Sequence, residues 1–200
     1  MAAVLAADVV GYSRLVGADE EATVARLRVV RREVLERQIA QHQGRLFKTT
    51  GDGFLAEFSS VVDALRAAVE IQQEMARREI GYAPDRRLTF RIGVHLGDVM
   101  VEGDDLLGDG VNIAARIEAL AEPGGIAVSQ QTLDQARALK LGFDDRGEQA
   151  LKNIERPVRM HFVRFDAYVP AASAEAPSAG TTGPSPVPTP APNAPPPSPL

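Results

Sequence analysis

A single apolar run, closed by a carboxylate, fixes the position of a central strand. Residues 3–10 read AVLAADVV, and Gly11 follows them directly. A continuous apolar run of this length is typical of a buried strand, and a glycine lets the backbone turn sharply after it. We therefore expect Asp8 at the end of a buried strand, where a carboxylate is well placed to hold a cation.

A second aspartate lies at the tip of a predicted hairpin. Gly51-Asp52-Gly53 separates residues 45–50 from residues 54–58, which are both rich in aromatic, β-branched or aliphatic side chains, and this pattern is typical of a β-hairpin. Mg²⁺ rarely has an all-protein cage and commonly takes a few carboxylates, with water and phosphate as its other ligands. Asp8 and Asp52 thus predict a divalent-metal site for nucleotide chemistry. The alternative is that both aspartates only form turns.

Composition divides the chain into one folded domain and a tail. Of the 200 residues, 44% are hydrophobic, which is enough to fill a single core. Eleven of the 14 prolines lie in residues 170–200, and no Lys or Arg follows Arg164. Such a Pro/Ala/Ser stretch buries too little apolar surface to fold. We predict a domain over residues 1–166 and a disordered tail over residues 167–200.

Charge and cysteine content exclude several classes of protein. The chain has no cysteine, so disulfides and Cys-ligated zinc are excluded, and we expect any metal to be bound by oxygen. A net charge of -5, without a basic run interleaved with aromatics, argues against a nucleic-acid partner. The apolar N-terminal segment meets Asp8 too early to be a signal peptide or a membrane span. We expect a cytoplasmic protein with no membrane segment.

The remaining pattern mixes helices and strands. Asp19 opens a helical stretch that ends near Gly44, and Ser60 resembles the cap of a second helix. Alternating apolar residues from Phe90 to Leu96 predict a strand, a third helix spans about residues 108–121, and further strands are expected near 126–129, 143–152 and 159–165. This order predicts an α+β fold with helices packed on one face of a mainly antiparallel sheet.

The third predicted helix carries a polar pair. Asn112 and Arg116 are four residues apart, so they lie on the same face of a helix. Arg grips phosphate charge through several donors, and the Asn amide can bridge a sugar or phosphate oxygen. The alternative is an ordinary solvated helix face.

These separated motifs, in this order, resemble the catalytic domain of class III nucleotidyl cyclases, the adenylate and guanylate cyclase family. The resemblance extends over about residues 2–165 and rests on the segments around Asp8, Asp52 and Asn112. It implies a ferredoxin-like core related to polymerase palm domains. It also implies a head-to-tail homodimer with active sites at the interface, and two Mg²⁺ or Mn²⁺ ions in each site.

The resemblance also implies roles for single residues. Asp8 and Asp52 match the metal-binding aspartates, with the Val9 carbonyl as a backbone ligand, and Asn112 and Arg116 match residues that orient the ribose and stabilise charge on the α-phosphate. The candidate phosphate-binding residues are Gly11, Tyr12, Ser13 and Lys152.

Two further positions bear on the choice of base. Lys48 and Asp105 match the base-recognising pair of adenylate cyclases. A Lys can donate to adenine N1 while a carboxylate accepts from the N6 amino group, whereas guanine demands the opposite polarity. The resemblance thus implies an adenylate cyclase that converts ATP to 3′,5′-cyclic AMP and pyrophosphate by in-line attack of the ribose 3′-hydroxyl.

Two alternatives stay open. One is a guanylate cyclase that acts on GTP, and the other is a catalytically weak nucleotide-binding regulatory module. The second alternative predicts that at least one of the residues Asp8, Asp52, Asn112 and Arg116 is missing, yet all four are present. A diguanylate cyclase needs a Gly-Gly-acidic-Glu-Phe turn, which the segment around Asp52 does not supply.

Overall fold

The computed structural model describes residues 1–103 and 105–165, apart from the side chains of Val101 and Asp105. The tail predicted over residues 167–200 lies outside the described residues. The strands are β1 Ala2–Val9, β2 Arg45–Thr50, β3 Gly53–Phe58, β4 Phe90–Gly97, β5 Met100–Glu102, β6 Asp105–Leu107, β7 Ile126–Ser129, β8 Gly142–Gln149 and β9 Val158–Arg164. The helices are α1 Tyr12–Ala18, α2 Glu20–Val30, α3 Arg37–Gln41, α4 Val61–Arg78, α5 Asp109–Leu120 and α6 Gln130–Gln135.

Seven strands form one sheet in the order β2-β3-β1-β4-β7-β9-β8. All neighbouring strands are antiparallel except β4 and β7. The first part of the chain follows a βαββαβ sequence and takes the strand order β2-β3-β1-β4, which is the ferredoxin-like arrangement. The predicted α+β fold with a mainly antiparallel sheet is therefore confirmed. The sequence analysis missed β5 and β6, which form a separate two-stranded ribbon.

Local hydrogen bonds set the starts of two helices where the sequence predicted them. The Asp19 carboxylate accepts a hydrogen bond from the backbone N–H of Ala22 at 3.0 Å, at the start of α2. The Ser60 hydroxyl accepts one from the backbone N–H of Asp63, at the start of α4. Such caps satisfy N–H groups that have no partner inside the helix. The stretch predicted as one helix contains α2, a π-helical segment Arg31–Glu36 and α3.

The central strand β1 is buried on both faces, and this corrects one prediction. Leu5 and Ala7 pack into the larger core with α2, α3 and α4, whereas Val4 and Ala6 pack with Ala114 of α5 on the opposite face. The expectation that all helices lie on one face is therefore wrong for α5. The physical reason is visible in β1 itself, because a strand covered on both sides is apolar throughout instead of alternating.

Helix α5 lies unusually close to β4 because Gly93 has no side chain. A Cβ atom on Gly93 would lie 2.4 Å from the backbone N of Glu118 and 2.5 Å from the carbonyl O of Ala114. No side chain fits into that gap, so Gly93 sets how deeply α5 packs on the sheet. None of the helices in the described part of the chain has the length and apolarity needed to cross a bilayer.

We predict that Gly93→Ala destabilises the protein by about 2 kcal/mol or more, because the methyl group would push the α5 backbone off the sheet. The measurement is the free energy of unfolding in urea. Gly81→Ala is the matched control, since a Cβ there meets nothing within 4 Å, and we expect a change of about 0.5 kcal/mol or less. Equal stabilities for the two variants would contradict the close approach.

Candidate active site

Asp8 is held at the end of the central strand. In the β1–β4 ladder it is paired with Arg91, and the next residue, Val9, is paired with Phe90. The side chain of Val9 is buried in the core, so only its backbone is available to a site beside Asp8. Gly11 then adopts a positive φ of 66° as the chain turns into α1, which a residue without a Cβ adopts at little cost.

Asp52 lies at the tip of the β2–β3 hairpin, as the sequence predicted. Thr50 pairs with Gly53, so Gly51 and Asp52 form a two-residue loop, and Gly51 has a φ of 66°. Because β3 is the neighbour of β1, the hairpin tip comes beside Asp8. The structure therefore brings Asp8 and Asp52 together.

The pKa of Asp8 is raised in this setting. Burial raises the pKa of Asp8, and the charge and hydrogen-bond contact of Asp52 raise it further, while the guanidinium of Arg91 lowers it. Two carboxylates in hydrogen-bond contact favour a proton or a cation between them. A divalent metal ion between Asp8 and Asp52 would supply such a cation.

Two residues that the sequence analysis did not select lie next to this pair. Nη2 of Arg91 is 3.6 Å from Oδ2 of Asp8, and Nε of Arg91 is 3.5 Å from Oε1 of Glu118 on α5. Arg91 also donates from Nη1 to the carbonyl of Ala119 at 3.3 Å. Asp52, Asp8, Arg91 and Glu118 thus form a continuous line of ionisable groups. The one available sequence signal was Gly93, since a glycine inside a strand often marks close backbone approach.

Glu118 is the most strongly perturbed carboxyl group of the site. Its pKa is raised to about 7, mainly by burial; charge repulsion from Asp8 and, less strongly, from Asp52 adds to the rise, whereas Arg91 opposes it. Nε of Arg91 and Oε1 of Glu118 are both buried without a hydrogen-bond partner in the described part of the chain. The ionised form of Glu118 is therefore costly in the metal-free protein.

The residues present fit a hard divalent cation. Asp8 and Asp52 supply carboxylate oxygens from two fixed strand ends, and Mg²⁺ and Mn²⁺ favour such ligands. Among the side chains that the structure describes, no three from His, Asp or Glu converge as a closed metal cage. An ion held by Asp8 and Asp52 would keep positions for water and substrate oxygens, as Mg²⁺ commonly does.

Asn112 and Arg116 project from the outer side of α5. Both side chains are exposed, while Ala114, Ile117 and Glu118 on the inner side are buried. Neither the Asn112 side chain nor the Arg116 side chain has a hydrogen bond or ion pair with the rest of the described structure. A single chain therefore presents this pair to solvent and leaves its predicted role open.

The elements that carry Lys48 and Asp105 lie together. Lys48 is half-buried on β2, where it pairs with Leu55 beside a bulge at Phe47. Asp105 opens β6, where its backbone pairs with Glu102, and β6 contacts β2. The side chain of Asp105 lies outside the described residues, so its pairing with the base stays a prediction.

The candidate phosphate residues are in two places. Gly11, Tyr12 and Ser13 directly follow the strand that carries Asp8, and Gly11 and Ser13 are exposed. Lys152 is exposed in the loop between β8 and β9, and its neighbour Leu151 belongs to the same buried cluster as Ile117 of α5. The structure does not bring Lys152 into contact with Asp8 or Asp52.

Comparison with known proteins agrees with this fold. The chain matches the family model described as adenylate and guanylate cyclase catalytic domain over residues 1–164. It is 51% identical over 161 residues to a Rhizobium meliloti protein named "Putative adenylate cyclase 3", and the match covers 80% of this chain and 27% of that protein. The adenylate cyclase of Mycosarcoma maydis is 32% identical over 56% of this chain and 5% of its own length. The chain thus spans only a small part of these relatives.

Solved structures show the same likeness. The adenylate/guanylate cyclase/hydrolase from Silicibacter pomeroyi superposes with a TM-score of 0.76 and 44% identity, over 82% of this chain and 96% of that chain. The adenylyl cyclase CyaB from P. aeruginosa gives a TM-score of 0.70 at 22% identity, over 82% and 93% of the two chains, which supports the fold alone. The chain belongs to the class III adenylate and guanylate cyclase family, and the resemblance found in the sequence is confirmed.

The perturbed Glu118 predicts a pH dependence of stability. Its folded-state pKa of about 7 exceeds the ordinary value of 4.5, so its stabilising contribution is complete below pH 4.5 and is lost as the pH rises through 7. We expect this group to lower the free energy of unfolding by up to about 3 kcal/mol between pH 4.5 and pH 8. Urea unfolding of Glu118→Gln in EDTA should lack this decline, and an identical decline in both proteins would refute the assignment.

Proposed function

We propose that the protein is an adenylate cyclase, which converts ATP to 3′,5′-cyclic AMP and pyrophosphate in intracellular signalling. The observation that carries the proposal is the convergence of Asp8 and Asp52 at the ends of neighbouring strands, where Asp52 raises the pKa of Asp8. Membership of the cyclase family supports the reaction class. We place the activity in the cytoplasm, and the cysteine-free composition needs no oxidising compartment.

Two Mg²⁺ or Mn²⁺ ions, bound by Asp8, Asp52 and the Val9 carbonyl, would lower the pKa of the ribose 3′-hydroxyl and neutralise the departing pyrophosphate. Asp8 and Asp52 contribute fixed negative charge at this point. Because β1 is buried on both faces, Asp8 has a rigid support, and positional precision of this kind favours in-line attack.

Other side chains act on the substrate. Asn112 would orient the ribose through its amide, and Arg116 would stabilise the charge that develops on the α-phosphate. Gly11, Tyr12, Ser13 and Lys152 are the proposed phosphate contacts. Lys48 and Asp105 would read adenine, with Lys48 donating to N1 and Asp105 accepting from the N6 amino group.

A homodimer with a shared site explains why these groups are separated in one chain. Asp8 lies at the end of β1, with Arg91 between it and the inner residue Glu118 of α5. Asn112 and Arg116 are exposed on the outer side of α5. The outer pair can meet a substrate that is held on Asp8 and Asp52 of a second copy. In a two-fold arrangement this produces two equivalent sites.

We predict that the purified protein forms cyclic AMP from ATP with Mn²⁺ or Mg²⁺, and that Asp52→Asn lowers the rate about 1,000-fold or more, since it removes metal-binding charge. The products are identified by mass spectrometry with ATP and GTP as separate substrates. Asp134→Asn, an exposed substitution on α6, is the control and should be as active as the original protein. Cyclic GMP alone would overturn the base assignment, and no product from folded dimer would favour the regulatory module.

We also predict that inactive chains complement each other. Equal amounts of Asp52→Ala and Arg116→Ala chains, mixed and allowed to exchange, should regain about a quarter of the original activity, because half of the dimers are mixed and each has one intact site. The measurement is the cyclic AMP rate before and after exchange, with mixed dimers verified by native mass spectrometry. Verified mixed dimers without activity would refute the shared site.

A further inference from the structure

Glu118 is a buried acid that the proposed reaction does not use. Its side chain is only 11% exposed, and it projects from the inner side of α5 toward β4. It does not join Asp8 and Asp52 in a three-carboxylate cage, since no such group exists in the described part of the chain. Glu118 is therefore separated from the proposed metal ligand Asp8 by the Arg91 side chain.

Three ionisable side chains, each from a different neighbouring element, act on Glu118. They are Asp8 at the end of β1, Asp52 at the tip of the β2–β3 hairpin and Arg91 on β4. Arg91 lies between the acids, 3.6 Å from Oδ2 of Asp8 and 3.5 Å from Oε1 of Glu118. Its Nε and the facing Oε1 have no hydrogen-bond partner in the described structure. One guanidinium is thus shared by two acids and hydrogen-bonded to neither.

We propose that Glu118 is a positioning residue that releases one proton to solvent when a divalent cation binds to Asp8 and Asp52. The Glu118 carboxylate formed in this step then pairs with the guanidinium of Arg91 and holds it in place. This inference rests on the proposed function, because it takes Asp8 and Asp52 as metal ligands. In the proposed step the O–H bond of the Glu118 carboxyl breaks and water accepts the proton. No other covalent bond changes.

The electrostatic reason is the change in charge around Glu118. In the metal-free protein, burial and the negative charges of Asp8 and Asp52 raise the pKa of Glu118 to about 7. A bound cation neutralises those two charges, so it favours the ionised carboxylate. Arg91, no longer attracted by a free Asp8, can then pair fully with Glu118.

Proton release makes cation affinity depend on pH. A single competing proton with a pKa of about 7 weakens cation binding about tenfold when the pH falls from 8 to 6. At pH 7, about half a proton should be released for each site that is filled.

The test is titration of the full-length, nucleotide-free protein with Mn²⁺ at pH 6, 7 and 8. Free Mn²⁺ is read by electron paramagnetic resonance, and released protons are read with a pH indicator in weakly buffered solution. We compare the original protein with Glu118→Gln and with Glu122→Gln, a matched change at an exposed carboxyl. We expect the tenfold effect in the original protein and in Glu122→Gln, and less than a twofold effect in Glu118→Gln.

The outcomes separate this inference from the proposed function. If Mn²⁺ binds but Glu118→Gln keeps the full pH dependence and proton release, the inference is wrong and the metal assignment stands. If Asp8→Asn does not weaken Mn²⁺ binding, or the original protein binds none, both are wrong. Should Glu118→Gln fail to fold, Arg91→Gln provides the second test: loss of Arg91, which lowers the pKa of Glu118, must move the pH dependence to higher pH.

Discussion

Burial of β1 on both faces is the constraint on which the rest of the structure depends. The strand lies between β3 and β4, with α4 and its neighbours on one side and α5 on the other. Its apolar residues leave little freedom for the chain at Asp8, which lies between the buried residues Ala7 and Val9. Asp8 keeps its position although its negative charge is repelled by Asp52, because the apolar contacts of the strand oppose movement of the backbone away from Asp52. The site can therefore hold two acids close together before any cation arrives.

The parts of the fold that sequence analysis predicted are those with short-range causes. The hairpin around Asp52 follows from two glycines between apolar segments, and the starts of α2 and α4 follow from Asp19 and Ser60 as helix caps. The placement of α5 depends on contacts between distant segments, such as Gly93 with Glu118. No local sequence pattern indicates which face of a sheet a helix covers. The prediction that all helices lie on one face was wrong for α5 for this reason.

The same distinction applies to the candidate site. Asp8 and Asp52 could be selected because each stands in a recognisable local setting, a strand end and a turn. Arg91 becomes a neighbour of Asp8 only through the register of β1 with β4, and Glu118 only through the depth at which α5 packs. In the sequence Glu118 is one more polar residue on an amphipathic helix, where a solvated position is the ordinary expectation.

Helix α5 has two functional sides, and this limits how the site can be built. Its inner side places Glu118 beside Arg91, behind the carboxylates of its own chain. Its outer side carries Asn112 and Arg116, whose side chains have no hydrogen-bond or ion-pair partner in the described part of that chain. Residues two positions apart on a helix do not face the same way, so one substrate cannot contact the inner and the outer side of one copy. In the proposed dimer, one rigid helix therefore serves both sites. Glu118 on its inner side lies near the metal-binding carboxylates of its own chain, and Arg116 on its outer side contacts the phosphate in the other site.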